Sequence, residues 1–217
     1  VDNSSQLAHI VVEGPIGVGK TSLARRLVET FNGEPLLEGA DSNPFLERFY
    51  QDPRRAALPT QMYFLLQRAR QIQALRQTDL FKSTFVSDFL LEKDRLFARL
   101  NLADDEFQLY EMMYASLAMN APVPDLVIYL QAPVEVLLAR VRKRGATYER
   151  PMEMNYLKRI SDAYADFFYR YDAAPLLIVN AADIDLVAND RDYQQLVEHM
   201  RTIRVGRHYF NPLPIAL

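Results

Sequence analysis

Gly14, Pro15, Ile16, Gly17, Val18, Gly19, Lys20 and Thr21 fit the pattern G-x-x-x-x-G-K-[ST], and Ser22 follows directly. Each residue type suits the capture of a polyphosphate. The glycines let backbone N–H groups close around an anion with no Cβ in the way. Lys20 can bridge the outer phosphates, and the Thr21 hydroxyl can ligate Mg2+. A glycine-rich turn that merely joins two elements would use the same residues, so their context decides. Before the loop, Ala8, Ile10, Val11 and Val12 have the apolar, β-branched character of a buried strand. After it, Leu23, Ala24, Leu27, Val28 and Phe31 recur at helical spacing, so a helix would aim its positive end at the same anion. Strand, loop and helix together carry the reading of nucleotide binding.

Two carboxylates stand at the ends of apolar runs where they could serve that anion. Glu38 closes E-P-L-L-E, and Asp88 follows S-T-F-V-S. An acid closing a hydrophobic strand is what a phosphate-loop enzyme uses to hold Mg2+, directly or through water. Capping the next helix is the alternative for Asp88, and the residues alone leave both open. A basic cluster, R-V-R-K-R-G, spans 140–145. Cations in a last helical turn favour the helix dipole without any further role. Arg140 and Arg144, however, fall on one face at i and i+4 and suit a phosphate chain undergoing transfer.

These residues need a frame. At 217 residues, 49% hydrophobic and 24% charged, the chain is expected to form one domain around one core, 7–201, with 202–217 as a tail on the surface. The spacing predicts strands over 34–38, 83–87, 125–130 and 175–180 beside the first one, with the run at 125–130 central. Helices are predicted over 44–50, 59–77, 89–101, 104–120, 134–144, 153–171 and 191–201. Residues 1–6 are polar and expected to fray. Strands alternating with helices give an α/β, three-layer fold with a five-stranded parallel sheet, its ligands beyond the strands' carboxyl ends. The helix over 104–120 carries Phe107, Tyr110, Met112, Met113, Tyr114 and Leu117. Core packing is one explanation, and a subunit interface, hence a homodimer, is the other.

Composition narrows the function classes. A formal net charge of −3 gives no global attraction to a nucleic-acid polymer or to an anionic membrane. No apolar run is long enough to span a bilayer, and 1–13 lack the layout of a secretory signal. The chain has no cysteine, and His9, His199 and His208 lack metal-ligand spacing. A cytoplasmic enzyme is the expectation.

Beyond the phosphate loop, a series of landmarks is similar to the deoxyribonucleoside kinase family, above all its bacterial deoxyadenosine and deoxyguanosine kinases. They are a lone Glu38, N-P-F-L-E-R-F-Y-Q-D from Asn43, Gln61 on the following helix, Asp88, the basic run at 140–145, and Glu149 beyond it. The resemblance implies a P-loop kinase with an arginine-bearing lid, passing the γ-phosphoryl group of ATP, with Mg2+, to the 5′-hydroxyl of a deoxynucleoside, a purine one for choice. It implies Glu38 as the group that accepts the hydroxyl proton. It assigns Tyr50 and Glu149 to the sugar 3′-hydroxyl, Gln61 to the base edge, and Asp94 to base preference. Arg140 and Arg144 match lid arginines that close on the phosphates. Two departures stand out. Phe89 follows Asp88 where the family usually has an arginine, with Arg68 a candidate to take its place, and Ala146 replaces a lid arginine. A nucleoside monophosphate kinase is the runner-up. A GTPase-like switch is disfavoured because no N-K-x-D run occurs.

Overall fold

The structure, a computed structural model, describes residues 7–77, 84–117, 121–182, 184, 186 and 188–211. Its centre is strand β1 (His9–Glu13), buried at every position. Ile10, Val11 and Val12 have no polar atom to satisfy outside the ladder, so they can face helices on both sides. The other strands are β2 (Glu34–Leu36), β3 (Phe85–Ser87), β4 (Leu126–Gln131), β5 (Leu176–Asn180) and β6 (Arg207–Phe210), in the spatial order β2-β3-β1-β4-β5-β6. Every pairing is parallel.

Helices α1 (Lys20–Phe31), α6 (Val134–Arg144) and α8 (Asp190–Thr202) cover one face. Helices α4 (Asp94–Asn101) and α7 (Met154–Arg170) pack Phe97, Ile160, Tyr164 and Phe168 against Val11, Val127 and Tyr129 on the other. Beyond the strands' carboxyl ends, α2 (Leu46–Gln51), α3 (Pro53–Gln77) and α5 (Asp104–Leu117) form a third apolar cluster, which roofs the cleft described below. No described helix is long and apolar enough to cross a membrane.

Three expectations need correction. The sheet has six strands, not five, because part of the expected tail is β6, paired from Leu176↔Arg207 to Val179↔Phe210. Its half-buried His208 and Phe210 alternate with exposed Arg207 and Tyr209, a two-residue period that a search for helical spacing misses. The expected α3 starts at Pro53, not 59, and Pro59 lies inside it. Buried Ala56 and Ala57 join Leu46 and Phe49 in the core, and that packing outweighs a proline cost of about 3 kcal/mol. The helix expected over 89–101 is a 3-10 turn (Leu91–Lys93) followed by α4. Boundaries predicted at 83 and 118–120, the frayed 1–6 and the end of the expected tail, 212–217, lie outside the described residues. On α5, core packing explains Tyr110, which is fully buried, and leaves Leu109 and Met112 exposed.

Candidate active site

The glycine loop is shaped by contacts no side chain could tolerate. Gly17 has φ +85°, and a Cβ there would stand 2.7 Å from the Leu137 carbonyl oxygen of α6. Gly19 has φ +104° with nothing within 4 Å of where its Cβ would point, so the space before the α1 N-terminus is open. That open cradle fits a phosphate chain. Lys20 Nζ meanwhile donates to the Gly14 carbonyl at 2.8 Å and to that of Pro15 at 3.3 Å, curled over the loop it would leave for an anion.

Asp88 joins this cradle to the end of β2. One carboxylate oxygen accepts the Thr21 hydroxyl, and the other accepts the Glu38 backbone N–H at 2.7 Å. The side chain caps no helix. Burial lifts the Asp88 pKa above its ordinary value; the Thr21 hydrogen bond opposes the rise, and the neighbouring Glu38 carboxylate adds to it. Thr21 and Asp88 therefore present adjacent hard oxygen donors, the kind Mg2+ takes.

Glu38 points into the same cleft as Lys20 and Thr21. Arg68, buried on α3, donates to its carboxylate and with its other terminal nitrogen pairs with the fully buried Asp94. Gln67 fixes the Glu38 carbonyl at 2.8 Å. Burial pushes the Glu38 pKa up, but Arg68, then Lys93 and Lys20, outweigh it and hold the carboxyl below its ordinary range. It is thus ionised at neutral pH. The guanidinium at this carboxylate is the one from α3, while Phe89 is packed away in the core.

The cleft encloses about 880 Å3, mouth included, and brings together Ile16, Gly17, Lys20, Thr21, Glu38, Tyr50, Gln61, Asp88, Arg144 and Glu149 among the expected residues. Gln61, 3% exposed, has no hydrogen-bond partner for its side-chain amide among the described residues, so donor and acceptor are both on offer. Tyr50 stacks on Tyr148 at 6.2 Å between ring centroids, and burial, with Tyr156 and then Glu149 nearby, raises its pKa well above the ordinary value. The 3-10 turn Thr147–Glu149, where the family resemblance places a lid, lines this end. Arg144 grips both Glu149 oxygens, through Nε at 3.0 Å and through a terminal nitrogen, and Tyr148 donates to Asp41 at 2.6 Å across the mouth.

Of the expected residues outside the glycine loop, two sit elsewhere. Asp94 lies behind Arg68 and does not border the cleft. Arg140 is not beside Arg144: its guanidinium donates to the Ala181 carbonyl at 2.8 Å and the Val18 carbonyl at 3.4 Å, next to Gly19 and Ser22 in a neighbouring hollow. Their helical spacing aligns the Cα atoms, but side chains of that length diverge from a shared face. Sequence reasoning also missed Glu13 and Lys93. The signal available was a glutamate ending a strand otherwise fit only for the core.

Residues 10–204 match the family model described as deoxynucleoside kinase. The chain belongs to the deoxynucleoside kinase family. It is therefore a phosphotransferase that acts on deoxynucleosides. It is 31% identical over 201 residues to a deoxyguanosine kinase of Bacillus subtilis, covering 90% of this chain and 97% of that one. It is also 31% identical over 206 residues to a deoxyadenosine kinase of Lactobacillus acidophilus, covering 88% and 94%. Among solved structures, the deoxyadenosine kinase of M. mycoides with bound dATP superposes with a TM-score of 0.77 at 21% identity, covering 89% of this chain and 99% of that one. That likeness carries the fold, an α/β sheet with the glycine loop at its first turn.

Proposed function

We propose that this enzyme phosphorylates the 5′-hydroxyl of a purine deoxynucleoside, with ATP as donor and Glu38 as proton acceptor. One observation carries the reading: Asp88 holds the Glu38 backbone with one oxygen and the phosphate-loop hydroxyl of Thr21 with the other. Donor cradle and proton acceptor are therefore fixed to each other, as in-line transfer requires. Ionised Glu38 takes the proton as the 5′-oxygen bonds to the γ-phosphorus; the bond to the β,γ-bridging oxygen breaks, and ADP leaves. Lys20 and Arg144 offset the charge that gathers on the transferring group. Thr21 and Asp88 would hold Mg2+, whose chemistry when bound is to neutralise the phosphate oxygens.

At the acceptor end, the free amide of Gln61 suits a purine edge, and Tyr50 with Glu149 suits the sugar 3′-hydroxyl. Relatives named deoxyguanosine kinase and deoxyadenosine kinase favour a purine. We assign Asp94 to base preference through Arg68 rather than by contact, and Arg140 to holding the glycine loop. The exposed Leu109 and Met112 on α5 suit a homodimer, which sedimentation of the whole chain would check, and a cytoplasmic setting suits the use of ATP. The deciding experiment offers the four deoxynucleosides and their monophosphates with ATP and Mg2+, and weighs the products. Deoxyadenosine and deoxyguanosine should gain one phosphate. Conversion of monophosphates alone would sink the reading.

A further inference from the structure

Lys20, Arg68 and Lys93 are three cations that line the inner part of the cleft. The first has a place at the phosphates and the second at Glu38. Lys93 pairs directly with neither, although its charge acts on Glu38 from a distance. It ends the 3-10 turn before α4 and is 1% exposed, with its ammonium over the rings of Phe97 at 4.8 Å and Tyr164 at 5.7 Å. Its counter-ion is Glu13, at 3.2 Å.

That carboxylate hardly needs a lysine. One Glu13 oxygen accepts the Leu90 N–H at 2.8 Å, and the other accepts the Gly14 N–H at 3.0 Å and the Tyr164 hydroxyl at 2.9 Å. Three donors already serve it, and a buried ion pair is commonly no more stable than an apolar pair of the same volume. Stability alone gives no reason to keep two charges here.

Orientation supplies one. Lys93 borders the cleft and Glu13 stands behind it, outside the lining. The pair is a fixed dipole with its positive end toward the substrates. Its negative end is tied to Gly14, the first residue of the phosphate loop. Burial leaves the Lys93 pKa below its ordinary value although Glu13 pulls it up; Arg68, Glu38 and Lys20 are the other charges that act on it, so it belongs to the same electrostatic site.

We propose that Lys93 is a positioning residue of the transfer step, its ammonium anchored through Glu13 to the glycine loop and turned to face charge that builds up in the cleft. Such a charge, set in place before reaction, acts on the transition state more than on bound substrates. The inference rests on phosphoryl transfer in this cleft, not on which carboxylate takes the proton.

The test is the double variant Glu13→Gln/Lys93→Met, which removes one charge of each sign and keeps the volume. With ATP, Mg2+ and the preferred deoxynucleoside, its kcat should fall by about tenfold to a hundredfold, while either KM moves less than about threefold. Its thermal midpoint should stay near that of the parent, and Lys93→Arg, which keeps a cation, should recover part of the rate. A folded double variant with parental kcat overturns the assignment. So does Lys93→Arg as slow as the double variant, since shape rather than charge would then matter. A double variant that no longer folds marks the pair as a strut of the fold and overturns it too. Glu38→Gln, assayed alongside, separates this inference from the base: unchanged turnover there removes Glu38 from the mechanism and leaves the Lys93 question to the double variant.

Discussion

The two ends of the cleft are built by different means. The donor end is mostly backbone: a glycine loop, the first turn of α1 and a few hydroxyls, all within residues 14–22. The acceptor end is side chains alone, drawn from the tip of β2, from α2 and α3, from the turn before α4, and from the lid. Backbone N–H groups in a fixed turn hold an anion of any identity, whereas the proposed function requires Gln61, Tyr50 and Glu38 to meet particular atoms. General capture of phosphate is thus local in sequence, and choice of acceptor is a property of the assembled fold.

Glu38→Gln should break that division most sharply. Turnover is expected to fall on the order of a thousandfold, about 4 kcal/mol, while ATP affinity measured by titration stays put. A matching loss of ATP affinity would mean that the two ends are not separable. Arg68→Met comes next, at about 3 kcal/mol of unfolding free energy in urea melts at pH 7, because Glu38 and Asp94 lose their shared partner.

The same variant sharpens the comparison through pH. Arg68 holds the folded-state Glu38 pKa below its unfolded value, so this contribution to stability is present above the unfolded pKa and is lost as pH falls through the folded one. Removing the guanidinium leaves burial to act, so the acid limb of kcat/KM should move to higher pH. An unmoved limb would mean that Arg68 does not set the charge on the base. Gly17→Ala probes the other end. Its left-handed φ and close approach to Leu137 predict a cost of about 2 kcal/mol, read as a raised KM for ATP with the deoxynucleoside KM little changed. The smallest effect is expected of Tyr148→Phe, which removes only the lid's hydrogen bond to Asp41. About 1 kcal/mol should appear as a severalfold rise in the deoxynucleoside KM.

This contrast also accounts for what could be read from the chain. The glycine loop, the central strands and the alternation of strand and helix were legible because each is set by neighbours within a few residues. Glu38 and Gln61 were singled out through family resemblance, since nothing in E-P-L-L-E distinguishes a cleft glutamate from a surface one. Lys93 escaped notice because a lysine in L-E-K-D-R reads as solvated; only the arrival of β1 behind it makes it a buried ammonium. Arg140 and Arg144 share a helical face and still part ways, since periodicity fixes Cα positions and not the ends of long side chains. β6 was lost in a segment whose pattern changes period near two prolines.

Asp88 touches both sides at once, and this bears on the order of events in a catalytic cycle. A cation that takes a lone pair of the Thr21 oxygen leaves its O–H donating to Asp88, whose other oxygen holds the backbone of Glu38. An occupant of either pocket that shifts this carboxylate would be felt in the other. Linkage makes that influence mutual: whatever factor the first ligand applies to the affinity of the second, the second returns in full.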